Sequence, residues 1–302
     1  MTRGLLNAPK LAFIGCGTMG RVIIDGLFAR LAELPEKPIP GDTLPRPAEV
    51  WATVIREESV QRLKTCYGSK VKVVSHVNNA SVIKEADVIF LCCKPQKARE
   101  VLESPGVAAA LASSPKLLIS VCAGVTLKQL HGWVPSGTNV IRAMPNTPCQ
   151  IREGMTILCW NPDTPSTYTD FATQVFTILG RCRALEEKHI NAATGLAASG
   201  PAFICVILES LADGGVMMGL PRDVAYELAA QVLQGTARMA LQTAIHPAAL
   251  KDLVTTPAGC TIAGLLTMED GKIRSTLART VEVAASVAGN LGQDKDTNYK
   301  RT

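Results

Sequence analysis

The chain has 302 residues, long enough for roughly two domains of about 150 residues each. Its 47% hydrophobic content comes mainly from Ala, Val, Leu and Ile with only 4% aromatic residues, which argues against an all-β sandwich and suits buried parallel strands with close-packed helices. The 31 Lys and Arg against 26 Asp and Glu leave a net charge of +5, but no basic run alternates with aromatics, so a nucleic-acid partner is not expected and an anionic small ligand is compatible.

The N-terminal stretch MTRGLLNAPKLAFIGCG has too short an apolar region for a signal peptide. No segment reaches about 18 uninterrupted apolar residues, the longest candidate being broken by Glu209 and Asp213, so no membrane span is expected. From Lys10 short apolar runs alternate with helical patterns. LAFIG, EVWATVI, VKVVS, DVIFLCC, KLLISVCA and NVIRAMP are six strand candidates and MTILCW a possible seventh, the βαβ signature of a doubly wound parallel sheet. Five prolines between Pro35 and Pro47 mark an exposed loop before the second strand.

After Asn161 the pattern turns helical. Residues 164–179, 200–218, 221–244 and 271–291 carry apolar side chains at three- and four-residue spacing, with Pro221 suited to a first helical turn. The expected organisation is a Rossmann-like α/β domain over 1–162, an all-α helical domain over 163–292 and a polar tail over 293–302. GPAFICVILESLADGGVMMGL is apolar on more than one face, and a homo-oligomer with interleaved helices would bury that surface. The ten cysteines lie mostly in apolar segments such as FLCCKP and FICVIL and read as small core residues of a reducing compartment, which makes the cytoplasm the expected location. None has metal-site spacing, and no metal is expected.

In LAFIGCGTMGRVIIDGL, Gly15, Gly17 and Gly20 form G-x-G-x-x-G directly after a strand and directly before a helix. That context points to a dinucleotide: the turn lets the backbone approach a pyrophosphate, and the helix N-terminus supplies N–H donors and a favourable dipole. The second strand ends in Arg56 where an NAD enzyme usually places an acid, so a 2′-phosphate and hence NADPH is the expected preference; Glu57 and Glu58 oppose the phosphate, and NADH is possible. CCKP and VCAGVT are further strand ends that face such a cofactor. Lys94 is read either as a contact to it or as a surface lysine, and Asn146 in MPNTP either as a contact or as a turn former.

The ordered set FIGCGTMG, FLCCKP, SVCAGVTL, VIRAMPNTP, GLAASGPAF, ESLADGGVMMGLPR and LKDLVTTPAGCTIAGL, spread between Leu11 and Gly292, resembles the pyrroline-5-carboxylate reductase family. The resemblance implies NAD(P)H-dependent reduction of Δ1-pyrroline-5-carboxylate to L-proline, the last step of proline biosynthesis. It implies a helical domain that serves dimerisation and substrate binding, with intertwined dimers or rings of dimers, and an active site between the cofactor domain of one subunit and the helical domain of its partner. The implied cofactor set is Gly15, Gly17, Thr18, Met19, Gly20, Arg56, Asn79, Cys93, Lys94, Pro95, Ala123 and Asn146. The implied substrate set is Glu187, Thr256, Ala258, Gly259, Cys260 and Thr261, with Thr261 as the catalytic hydrogen-bond donor to the imine nitrogen. The loop suits a carboxylate physically, because a turn shaped by Pro257 and Gly259 and followed by a helix start exposes several backbone N–H groups, while a Thr261 at or near the N-cap could equally be a plain cap.

Three positions depart from the family pattern: Ala258 replaces a glycine, Ala197 and Ala198 stand in a normally more flexible SGSGP-like segment, and Leu253 stands where an amide is common. Two other readings compete. One is a reductase of the β-hydroxyacid dehydrogenase type, for which Lys188 and Lys251 sit in the wrong kind of motif; the other is a cofactor-sensing protein without catalysis.

Overall fold

A computed structural model describes residues 8–34 and 46–290. Strand β1 (Lys10–Ile14) leads into α1 (Thr18–Glu33), β2 (Glu49–Val54) into α2 (Glu57–Tyr67), and β3 (Lys72–Ser75) into α3 (Asn79–Glu85). Strand β4 (Val88–Leu91) is followed by the short helices α4 (Ala98–Leu102) and α5 (Val107–Ala112), then by β5 (Leu117–Ser120), α6 (Leu127–Trp133), β6 (Asn139–Met144), β7 (Gly154–Trp160), α7 (Ser166–Thr177) and β8 (Gly180–Ala184). The rest is helical: α8 (Ile190–Ala193), a π-helical turn at Thr194–Ala198, α9 (Gly200–Met217), α10 (Arg222–Thr243), α11 (Pro247–Leu253), α12 (Cys260–Asp270) and α13 (Ile273–Asn290).

The eight strands form one sheet in the order β3-β2-β1-β4-β5-β6-β7-β8. Strands β1 to β6 are parallel, β7 runs antiparallel to β6, and β8 is parallel to β7. Side chains alternate between two cores: Leu11 and Phe13 face one layer, Ala12 and Ile14 the other. Phe13 stacks on Phe90 of the next strand with ring centroids 4.6 Å apart. Because β1 to β6 are parallel, their carboxyl ends share one edge, and the order reverses between β1 and β4, which opens a crevice there.

The described residues form two compact units, one of 8–198 with 285–290 and one of Ser199–Ala284. Residues 163–184, expected in the helical domain, instead supply α7 and β8 to the sheet body. Strand β8, GRCRA, is a largely exposed edge strand, and with two arginines and no apolar run it carries no strand signal. Helices α9, α10 and α13 start and stop within a few residues of the expected ranges; Pro221 is the N-cap of α10 rather than its first residue. Most of the proline-rich insert and the polar tail lie outside the described residues.

In the second unit α9 and α10 meet along a small-residue seam of Ala212, Ala225 and Ala229. Much of the remaining apolar surface is open, with Met217 and Met218 82% and 80% exposed. The helical run Glu187–Met217, at 31 residues and a mean hydropathy of 1.6 in its most apolar window, is long and apolar enough to cross a membrane by length and composition, which the sequence reading did not expect, and only 11% of that window is buried. Unpartnered apolar helix surface of this extent calls for an occupant.

Candidate active site

The turn between β1 and α1 is held by bonds to the neighbouring strands β2 and β4. Cys16 N–H donates to the Thr53 carbonyl at 2.8 Å, Gly15 N–H to the Thr53 hydroxyl at 3.3 Å, and Cys92 N–H to the Ile14 carbonyl at 2.8 Å. Gly15 has φ +73°, and a Cβ there would lie 2.7 Å from the Cβ of Cys93, so neither the conformation nor the space admits a side chain. Gly17 is the N-cap of α1 with no side-chain cap, and its own Cβ position is open. The first N–H groups of a 16-residue helix therefore point out of the turn beside exposed Thr18 and half-buried Met19.

The other candidate strand ends lie on the same edge of the sheet. Arg56 is exposed as the N-cap of α2, with no ion pair among the described residues. Asn79 opens α3, is 8% exposed, and its Oδ1 is a buried acceptor without a partner among the described residues. Cys93, Lys94 and Pro95 follow β4, and Ala123 follows β5; Lys94 is exposed and has no ion pair among the described residues. A cradle that a Cβ would fill, together with an orphaned buried acceptor on the same edge, fits a dinucleotide with ribose hydroxyls. Burial pushes the Cys16 thiol up to about 12 and the Cys92 thiol well above its ordinary value, so neither offers a thiolate nucleophile. Among the described residues no group of three His, Cys, Asp or Glu could hold a metal ion.

Asn146 lies on the same edge, but its side chain is committed elsewhere. Its Nδ2 donates to the Ala197 carbonyl at 3.0 Å and its Oδ1 accepts from Met155 N–H at 2.9 Å, which pins the π-helical turn to the sheet. Glu187 is similarly engaged: one carboxylate oxygen accepts from the Leu127 N–H at 2.6 Å, at the first turn of α6, and from the Arg142 guanidinium at 3.3 Å. Burial lowers the pKa of Arg142, on a side chain 5% exposed, while Glu187 opposes that shift. The sequence reading missed Arg142. Its signal was available, since an arginine inside the apolar strand NVIRAMP needs a partner.

In the helical unit, residues 256–259 form a turn closed by a bond from Gly259 N–H to the Thr256 carbonyl at 3.2 Å. Pro257 and Ala258 are its central residues, and Ala258 has φ +56°. This is the arrangement of a type II turn, whose third position favours glycine. Gly259 is the N-cap of α12 with no side-chain cap, so exposed Cys260 is the first helical residue and half-buried Thr261 the second. Thr261 is therefore not the cap, and among the described residues its hydroxyl has no hydrogen-bond partner. Replacing Ala258 with glycine is expected to stabilise the protein by roughly 0.5–1 kcal/mol, the left-handed strain relieved less the entropy a glycine adds to the unfolded chain. Urea denaturation of Ala258→Gly checks this.

Fold and cradle define a class, a dinucleotide-dependent oxidoreductase that joins a doubly wound sheet to a helical unit. The model for pyrroline-5-carboxylate reductase dimerisation matches residues 187–291, and that for NADP oxidoreductase, coenzyme F420-dependent, matches residues 10–124. The pyrroline-5-carboxylate reductase of Schizosaccharomyces pombe is 44% identical over 93% of this chain and 98% of its own length. The solved pyrroline-5-carboxylate reductase of Coxiella burnetii has a TM-score of 0.81 at 28% identity, and that of Plasmodium falciparum, with NADP bound, 0.78 at 27%; each comparison covers 95% of this chain and 100% of the other. The chain belongs to the pyrroline-5-carboxylate reductase family, and is an NAD(P)H-dependent oxidoreductase of proline biosynthesis. That sets aside both the hydroxyacid-dehydrogenase and the non-catalytic readings.

Proposed function

We propose that the protein reduces Δ1-pyrroline-5-carboxylate to L-proline with NADPH as preferred donor, the substrate carboxylate resting on the loop 256–261. The observation that carries this reading is the uncapped N-terminus of α12, presented by the turn at 256–259, with the free Thr261 hydroxyl one residue inside it. The backbone N–H groups of Cys260 and its neighbours, with the Thr256 hydroxyl, hold the carboxylate, favoured by the helix dipole. Thr261 donates to the ring nitrogen and makes C5 electrophilic. The bound nicotinamide supplies the hydride. Gly15, Gly17, Thr18, Met19 and Gly20 cradle the pyrophosphate, and Asn79, Cys93, Lys94, Pro95 and Ala123 line the strand ends. Asn146 and Glu187 serve this reading by holding the π-helical turn and the start of α6 in place. Rapid NADPH oxidation on adding pyrroline-5-carboxylate, and a slower rate with its six-membered homologue, is the expected result. No oxidation with either substrate would refute the assignment.

Arg56 carries the preference for the phosphorylated cofactor. Arg56→Ala is expected to raise the KM for NADPH about tenfold, the loss of one solvent-exposed charge-assisted contact, while the KM for NADH stays within about twofold. Steady-state kinetics with both cofactors checks this, and an NADPH KM that does not move removes Arg56 from the site.

The sheet body, with α7 and β8, binds cofactor, and the helical unit of Ser199–Ala284 binds substrate and dimerises. The assembly is a homodimer with intertwined helical parts or a ring of such dimers, supported by the match to a dimerisation model and by exposed Met217, Met218, Val206 and Val232. A second copy of the chain, rather than a membrane, covers that surface, and light scattering measures the copy number. All ten cysteines are free thiols, which supports a cytoplasmic location.

A further inference from the structure

The register that pairs Leu91 with Ser120 continues past the ends of β4 and β5, with Val121 N–H donating to the Leu91 carbonyl at 3.0 Å. Two residues further on, Cys93 stands opposite Cys122. Their sulfurs are 4.0 Å apart, and the Cys122 thiol also lies 3.3 Å from the Cys93 carbonyl. Cys93 is half-buried and Cys122 is 2% exposed. Facing residues on neighbouring strands fall within the Cα separation that a disulfide spans. The two thiols share a hydrogen bond that lowers the pKa of Cys122 while it and burial raise that of Cys93, so the first proton leaves the pair more readily than it would leave an isolated buried thiol. Cys93 is also the residue against which Gly15 packs, its Cβ, Cα and N lying 2.7–2.9 Å from where a Gly15 Cβ would be.

We propose that Cys93 and Cys122 are a site of reversible oxidation by peroxides, and that the disulfide between them weakens cofactor binding by pulling on the backbone behind the Gly15 turn. One thiolate attacks a peroxide oxygen; the O–O bond breaks, giving a sulfenic acid and, from hydrogen peroxide, water. The second sulfur then attacks the first, the S–O bond breaks, and the departing hydroxide takes up a proton as a second water. Two thiols lose two electrons and the peroxide gains them. Closing the gap to the roughly 2 Å of an S–S bond moves Cys93 toward β5, and dithiothreitol reverses the change.

The consequence for the cofactor rests on the reading that the β1 and β4 ends face NADPH. The test uses full-length protein, reduced and then treated with stoichiometric hydrogen peroxide. Peptide mapping by mass spectrometry is expected to find the Cys93–Cys122 linkage, calorimetry an NADPH affinity lowered at least about tenfold and restored by dithiothreitol, and prior saturation with NADPH slower linkage. Cys122→Ala binds NADPH as the reduced wild type does and keeps that affinity after peroxide. If that variant does not fold, mapping and reversal in the wild type decide alone. Absence of the linkage, or an unchanged NADPH affinity in linked protein, overturns the inference. Reduced protein that fails to bind NADPH at all overturns the cofactor reading and with it the consequence for binding, while mapping still judges the linkage separately.

Discussion

Thr261→Ala is expected to lower kcat about 100-fold, the usual effect of removing one donor that acts on charge developing in the transition state. The hydroxyl occupies the second position of α12, the N-cap is Gly259, and among the described residues nothing else engages the Thr261 oxygen. The geometry separates function from stability. A capping threonine would cost about 1 kcal/mol on truncation, whereas here the melting temperature is expected to stay close to that of the wild type. NADPH affinity should not change either, because the residue belongs to the substrate loop. If the hydroxyl bound only the carboxylate, KM would rise at constant kcat. Thr261→Ser, which keeps the donor, is expected to recover most of the turnover. Wild-type kcat in Thr261→Ala would exclude the hydroxyl from the reaction.

Gly15→Ala strikes the other half of the chemistry. At φ +73° an alanine costs about 1–2 kcal/mol, and its methyl group would meet the Cys93 backbone at 2.8 and 2.9 Å, contacts that only a shift of β1 against β4 relieves. Crowding of that kind adds about 1–3 kcal/mol. The expected result is a loss of roughly 100-fold in NADPH affinity together with a lower melting temperature. Gly17→Ala is the control: its Cβ would find only the Gly15 carbonyl oxygen at 3.9 Å, and Gly17 has φ −86°, so affinity is expected to fall without comparable loss of stability. Calorimetry and thermal denaturation of the two variants test the distinction. Equal destabilisation of both would show that the approach of Cys93 does not set the shape of the turn.

Much of the fold is legible in the sequence because its signals are local. Seven strands announce themselves as apolar runs bounded by turn residues, α9, α10 and α13 by helical periodicity, and the Gly15 turn by its place between strand and helix. The loop at 256–261 is legible through its turn chemistry, and the oddity of Ala258 acquires its reason in a positive φ at the third position of the turn. Strand β8 is not legible, because an exposed edge strand reading GRCRA needs no apolar run. The apolar pattern of residues 200–220 also predicts helix surface beyond what one chain buries, and the openness of Met217 and Met218 agrees with it.

By itself, then, the sequence determines the elements, the dinucleotide turn and, through its ordered motifs, the family. Tertiary structure alone decides what each polar side chain does. In the sequence Asn146 reads as a cofactor contact or a turn former, and Glu187 as a substrate contact through the resemblance alone; folded, their side chains bond to Ala197 and Leu127, and Arg142 emerges as the partner of Glu187. The reason is physical: periodicity and turn preference act over a few residues, whereas these bonds join groups 51, 60 and 45 positions apart, and the Cys93–Cys122 pair 29 apart, brought together only once strand order and register are fixed.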